Sequence, residues 1–372
     1  MYKSLLVFVW LLLLPLGVAY GDSVDGQGEE ESGDSALSGF VFADAYYNFD
    51  WNMPRQMDAN GTQPHRAYVR TQGFALSFLG VEIAYTKEHY GATASLRFGP
   101  SAGPLIGQAE GGLGLDFVKQ AYVSWMPTDK LTLDFGQFDT IYGAEVADSW
   151  TNVNYTRGAL YFLMQPFWHT GLRVAYAASD TVGLNFLVVN GVNEPFDGDR
   201  AVDLGAQVVL TPSEALDVRL GYYGAQAKPD GMGWAHFFDL VATLVLDPVT
   251  LVFNGDLGVN DIAGSDEQSV YYGLSLAART PLNSHWALGL RGEYLGEEVD
   301  DDAIDGAFTA FPGDCLMTGT FTIEHTPTDD GNLVFRLDTR IEHSPNVDQF
   351  YGVDSMTDSY LSSVLGVVVK SE

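Results

Sequence analysis

The chain has 372 residues, 18 Lys plus Arg against 49 Asp plus Glu, a formal net charge of -31 and a single cysteine. Such acidity repels nucleic-acid phosphates, and the lone Cys315 has no partner for a disulfide within the chain. Beyond the first residues no apolar run approaches the roughly 20 residues that a membrane helix needs.

In chain order, the first feature is an export signal. Lys3 precedes an apolar run from Leu5 to Leu16, and Gly17-Val18-Ala19-Tyr20-Gly21 offers small residues for cleavage after Ala19 or Gly21. Residues 1–21 therefore read as a signal peptide. Residues 22–36 (DSVDGQGEEESGDSA) are acidic with almost no large apolar side chain, the composition of a disordered lead-in. No composition break marks a second domain over residues 37–372.

From Leu37 onward the chain alternates apolar and polar residues. In Leu333–Glu342 (LVFRLDTRIE) one face carries Leu333, Phe335, Leu337 and Ile341, and the other carries Arg336, Asp338, Arg340 and Glu342. Period-two alternation puts these sets on opposite sides of a strand. The same phase recurs at Leu172/Val174/Tyr176 against Arg173, at Leu184/Phe186/Val188 against Asn185, and at Leu288/Leu290/Tyr294 against Arg291 and Glu293.

Short connections alternate with long ones. The short ones are Thr86–Tyr90, Pro127–Lys130, Ser179–Thr181, Thr211–Glu214, Asp247-Pro248, Thr280–Asn283 and Thr326–Asp330. The long ones are Asn52–Arg66, Gly99–Gly114, Asp139–Thr170, Gly191–Arg200, Gly224–Trp234, Ile262–Gln268, Gly296–Gly313 and Ser344–Asp358. This asymmetry predicts an all-β, antiparallel, up-and-down transmembrane barrel of about 16 strands, with short periplasmic turns and long extracellular loops. Fourteen or eighteen strands stay open, because boundaries read this way carry errors of about 2–4 residues. In such a barrel the apolar faces meet lipid and the charged faces meet a wet lumen. Trp125 and Trp286 beside short turns, and Tyr222, Tyr271 and Tyr272 near loop ends, suit interfacial girdles. Lys119 breaks the pattern, because it falls in phase with Phe117, Ala121 and Val123. It belongs near a rim, or the phase shifts there.

Phe135–Glu145 (FGQFDTIYGAE), Asn152–Arg157 (NVNYTR), Gln165–Gly171 (QPFWHTG) and Asn185–Gly191 (NFLVVNG) resemble the OmpL-like family of beta-barrel porins. The resemblance is close over about the second quarter of the mature chain and elsewhere rests on alternation and turns. It implies an outer-membrane channel through which small solutes diffuse, with no catalytic residues to carry over.

The longest loop, Asp139–Thr170, is rich in aromatics, among them Tyr142, Trp150, Tyr155, Tyr161, Phe167 and Trp168. A solvated loop does not have that composition. We expect it to fold into the lumen and narrow it, with Asp139, Glu145, Asp148 and Arg157 at the constriction. Its carboxylates would face wall arginines, among them Arg97, Arg173, Arg219, Arg291, Arg336 and Arg340, and opposed charge across a narrow neck sorts ions. The alternative is that the loop adds two short strands on either side of Arg157-Gly158.

No catalytic or phosphate-binding motif appears, and no cofactor or metal site is expected. The one weak enzyme reading pairs His169 with Ser149 or Thr170. Acidic stretches at Asp261–Glu267 and Glu297–Asp302 have no EF-hand spacing; a hydrated surface is expected there, with calcium or lipopolysaccharide bridging as the alternative. The functional expectation is a passive, weakly cation-preferring porin in the outer membrane, possible as a homotrimer, whose partners are lipid, lipopolysaccharide and small solutes. Two rivals stand: a substrate-selective channel for sugars or organic acids, and an enzyme or adhesin scaffolded on the barrel.

Overall fold

The computed structural model describes residues 35–56, 72–103, 115–197, 201–226, 233–261, 268–298, 315–346 and 348–371. The export signal and all but the last two residues of the acidic lead-in lie outside that set. Sixteen antiparallel strands close into a barrel. They are β1 (Ser35–Asp50), β2 (Gln72–Lys87), β3 (Tyr90–Phe98), β4 (Val118–Thr128), β5 (Leu131–Asp139), β6 (Trp168–Ser179), β7 (Val182–Val189) and β8 (Asp203–Ser213), followed by β9 (Leu216–Gln226), β10 (Trp234–Leu246), β11 (Val249–Asp261), β12 (Gln268–Pro281), β13 (Trp286–Glu298), β14 (Cys315–His325), β15 (Leu333–His343) and β18 (Ser359–Lys370). A two-stranded hairpin, β16 (Phe350–Tyr351) with β17 (Met356–Thr357), sits in the last long connection. β18 pairs with β1 to close the sheet, so no lateral edge is left along the paired stretch.

All seven short connections and all eight long ones fall where the sequence places them. The first strand begins at Ser35 rather than Leu37, because Ser35 and Ala36 already pair with Lys87 and Thr86.

The outer face is apolar and exposed: Phe74, Phe135, Val123, Trp125 and Leu290 project from it, Phe135 at 71% exposure. An apolar belt of this extent is a surface built for lipid. Trp125 and Trp286 point outward beside short turns, and Tyr222 and Tyr272 point outward near long loops, as girdle residues do. Tyr271 differs from expectation: it turns inward and is buried, because only one of two successive strand residues can face out.

Lys119 is resolved by a β-bulge. Ser95 pairs with Gln120 and Leu96 with Val118, which leaves Lys119 as the extra residue. The bulge re-aims its side chain inward, while Val123 and Trp125 keep the outward phase.

The inner face is not polar throughout. Toward the long loops it carries buried Leu187, Val189, Phe237, Leu295 and Leu316. That departs from the inside-out pattern for a physical reason: this half of the interior is filled by protein, so apolar side chains there have an apolar partner.

Candidate functional site

The filling is the connection between β5 and β6. It descends through a 3-10 turn at Ser149–Thr151 and returns through the short helix α1 (Ala159–Met164), whose Leu160, Leu163 and Met164 pack into the apolar half of the wall. Phe350 of the β16–β17 hairpin joins the same cluster. The connection forms no strands, so the alternative of two added strands beside Arg157-Gly158 is overturned. Thr156 and its neighbours spend their backbone donors on wall side chains instead.

Contacts with strands all around the closed sheet place this segment inside the barrel. On β1, Asp44 accepts from the Tyr155 hydroxyl at 2.7 Å and the Ser149 hydroxyl at 2.8 Å. On β15, Asp338 accepts from the Thr156 backbone N–H at 2.8 Å and its hydroxyl at 2.9 Å. On β13, the Glu293 carboxylate accepts from the first two N–H groups of α1, Ala159 at 3.0 Å and Leu160 at 3.1 Å. These donors lack partners within the helix, so a carboxylate there satisfies and charge-complements them. On β11, Asn254 accepts from the Ala144 N–H at 3.0 Å, and Gln165 donates to Asn254 and Asp256 at 2.7 Å. Both legs of the segment are thus clasped at one point of the wall.

The charged residues sort into three groups. Arg97 on β3 grips Asp148 with two bonds of 3.0 Å, the fork geometry that fits a carboxylate, and also reaches Glu82 at 3.0 Å. Lys119 bridges Asp148 at 2.9 Å and Asp139 at 2.8 Å. Arg291 on β13 meets Glu145 at 2.5 Å. These three cations face carboxylates of the segment. Arg336 and Arg340 bind the segment differently. Arg336 pairs with Glu324 and donates to the Asn152 carbonyl at 2.8 Å, and Arg340 pairs with Glu342 and donates to the Arg157 carbonyl at 2.5 Å. Arg173 and Arg219 reach no segment carboxylate; they pair with Asp134 at 2.8 Å and Asp217 at 2.8 Å on the wall. Arg157 is turned into the segment, donating to the Ala147 carbonyl and lying over the Phe78 ring.

The segment's titratable groups respond to this packing. Burial pushes the Asp148 carboxyl up, but Lys119 and Arg97 together outweigh it and hold it below the usual carboxylate range. For Glu145 burial wins over Arg291, and neighbouring Glu293 adds to it, so its carboxyl is raised. Burial, then the Asp44 charge, holds the Tyr155 hydroxyl well above the usual tyrosine range, so it stays a donor.

Beside the segment, toward the short turns, lies a cavity of about 550 Å³. Asp139, Glu145 and Asp148 line it with Lys119, Arg173 and Arg219, whereas Arg97, Arg157, Arg291, Arg336 and Arg340 lie buried behind its lining. His169 is fully buried, with Thr140 at 3.2 Å and the Gly191 carbonyl at 3.1 Å, while Ser149 is committed to Asp44. His169 therefore has no paired serine. Most of the two acidic stretches at 261–267 and 297–302 lies outside the described residues.

Sequence reasoning missed Lys119, Asp44, Glu293 and Asp338 as anchors. Asp338 and Glu293 were visible as inward-phase carboxylates, but nothing local says what they hold. Lys119 was visible only as an anomaly of phase.

Among curated proteins none matches the chain. Solved structures with the same fold include an anion-selective porin from Comamonas acidovorans (TM-score 0.62, 11% identity, 91% of this chain and 100% of that one). OmpT of Vibrio cholerae, an outer-membrane protein, is similar at TM-score 0.61 and 11% identity over 92% of this chain and 99% of its own. The outer-membrane channel DcaP of Acinetobacter baumannii gives TM-score 0.59 and 14% identity over 94% and 100%. The family described as "Putative beta-barrel porin-2, OmpL-like" matches residues 36–369. A sixteen-stranded lipid-facing barrel with an inward-folded third loop, matched by that family along nearly its whole length, belongs to it: the chain is an OmpL-like beta-barrel porin of the outer membrane.

Proposed function

We propose that the channel passes small hydrophilic solutes and ions by passive diffusion, with Asp139–Thr170 as its constriction and no bond-making chemistry. One observation carries this reading: a segment tied to β1 and, eight strands away in the ring, to β9 runs beside a cavity lined by charged side chains. In this reading Asp139, Glu145 and Asp148 form the constriction's charged face. Arg173 and Arg219 line the path, while Arg97, Arg157, Arg291, Arg336 and Arg340 hold the segment in place.

Carboxylates outnumber cations in the cavity lining, Glu82, Asp134, Asp139, Glu145 and Asp148 against Lys119, Arg173 and Arg219. A narrow path with that balance concentrates cations. Weak cation preference follows. The Comamonas porin is described as anion-selective, and an 11% identical barrel does not carry that property over. The mature chain would start after residue 19 or 21, place both ends in the periplasm, and sit among outer-membrane lipid and lipopolysaccharide. A homotrimer is the assembly proposed, and a similar barrel, OmpT of Vibrio cholerae, is described in a trimer form.

A second reading, selective passage of sugars or organic acids, draws on the aromatics Tyr122, Tyr142, Tyr161, Phe167 and Trp168 at the cavity. Rings there offer stacking faces to a sugar. Purified protein in planar bilayers under a salt gradient tests both. Discrete conductance steps with a cation-side reversal potential are expected. An anion-side potential contradicts the charge reading, and block by millimolar sugar favours the second.

A further inference from the structure

At several places the wall meets the segment with a glycine. On β18, a Cβ built on Gly366 would fall within the Tyr155 ring, with Cζ at 2.7 Å. On β9, a Cβ on Gly221 would stand 2.6 Å from Tyr142 Cδ1 and 2.8 Å from Cε1. Gly273 on β12 receives Leu160 and Met164 of α1, with Met164 Sδ at 2.8 Å from the built Cβ. On β13, the Val153 carbonyl lies 2.8 Å from the Cβ position of Gly289. Carbon atoms in contact stand about 3.5–4.0 Å apart. A methyl group at Gly221 or Gly366 would therefore displace a tyrosine ring by about 1 Å and one at Gly289 would press on the Val153 backbone, whereas the flexible ends of Leu160 and Met164 beside Gly273 can turn aside.

The two tyrosines cannot swing aside freely. Tyr155 is fully buried, with its hydroxyl on Asp44 of β1, the strand next to β18. Tyr142 is equally buried and donates to the Tyr222 carbonyl at 2.7 Å. Each is held at the ring by a glycine and at the hydroxyl by a fixed acceptor.

We propose that Gly221 and Gly366 are positioning residues of the constriction. They are sockets that fix how far the segment's two tyrosine anchors withdraw into the wall, and so how wide the remaining passage is. Gly273 leaves room for the Leu160 and Met164 side chains of the helix. The segment is a fixed wedge whose distance from the wall is set by absent side chains. The inference rests on the segment being the constriction, and its test separates the two.

Single-channel conductance is measured for Gly366→Ala, Tyr155→Ala and the double variant, each shown to be closed by heat-modifiable gel mobility. With the segment displaced, Gly366→Ala changes conductance by about twofold, as a shift of about 1 Å in a narrow neck should. The double variant then matches Tyr155→Ala alone, since a methyl group in an emptied socket meets no ring, and the cycle is non-additive. Should Gly366→Ala fail to form a barrel, recovery of the barrel in the double variant carries the same conclusion. Wild-type conductance in Gly366→Ala, an equal effect with and without Tyr155, or no recovery overturns the sockets. Deleting 148–157 without altering conductance would instead remove the constriction reading itself.

Discussion

The outer wall of the barrel and the segment folded into it obey different rules. The wall asks only that every second side chain be apolar. Leu, Val, Phe and Trp interchange there, and neighbouring strands supply all the backbone partners. The segment from 140 to 167 has few regular hydrogen bonds of its own, so each donor needs a particular acceptor on a particular strand. The first kind of rule is repeated along the sequence and can be read from it. The second is written once, between residues more than a hundred positions apart.

The largest effect should come from breaking the wall's rule. Leu290→Arg places a charge on the lipid face of β13 and should cost about 2–4 kcal/mol of folding free energy at mid-bilayer depth. The reverse test on the inner face, Thr320→Val, removes one hydroxyl that accepts from Arg291 at 3.2 Å and should cost about 1 kcal/mol. Reversible urea unfolding in lipid vesicles measures both, and equal costs would erase the distinction between the two faces.

Next comes the segment's central ion cluster. Asp148→Asn leaves Arg97 and Lys119 with less charge opposing them in a buried site, a loss of about 3 kcal/mol. It also makes the vestibule one charge less negative, so the reversal potential should move toward the anion side. The sign of the pH dependence follows from the lowered Asp148 carboxyl. Its stabilisation is full above the unfolded value of about 4 and is lost as pH falls toward the lower folded value. The gap between wild type and Asp148→Asn should therefore hold from pH 7 to about 5 and shrink below about 4. Raised Glu145 acts in the opposite sense: its contribution is present at low pH and lost as pH rises through the folded value. A gap that widens on acidification would contradict the Asp148 assignment.

The smallest effect belongs to a pair that looks similar on paper. Arg55 and Asp354 meet at 2.7 Å between two long connections, but both side chains are 73% exposed. Arg55→Ala should change stability by less than about 1 kcal/mol. A loss as large as that of Asp148→Asn would mean that burial is not what distinguishes these pairs.

Strand number, turn positions and the facing of Arg173, Asn185, Arg291 and Arg336 were legible because alternation is a local signal. The inward course of the third loop was legible too, from its aromatics, since Tyr142, Tyr155 and Trp168 need an apolar surface. Its fastenings were not. Lys119 depends on a bulge set by the register of β3 against β4, and register is a property of the pair. Nor does the sequence separate arginines that bind segment carbonyls, such as Arg336 and Arg340, from those that pair along the wall, such as Arg219. The glycine sockets were not legible, because a missing side chain gives no hint of what occupies its place.

Single-channel conductance of the barrel lacking residues 148–157 tests the central claim most directly. Those residues carry Asp148, Tyr155 and Arg157 across the interior. A closed barrel with conductance raised about twofold or more, and weaker ion discrimination, is the predicted result for a neck that has been opened. A closed barrel whose conductance and reversal potential equal those of the intact protein would contradict it.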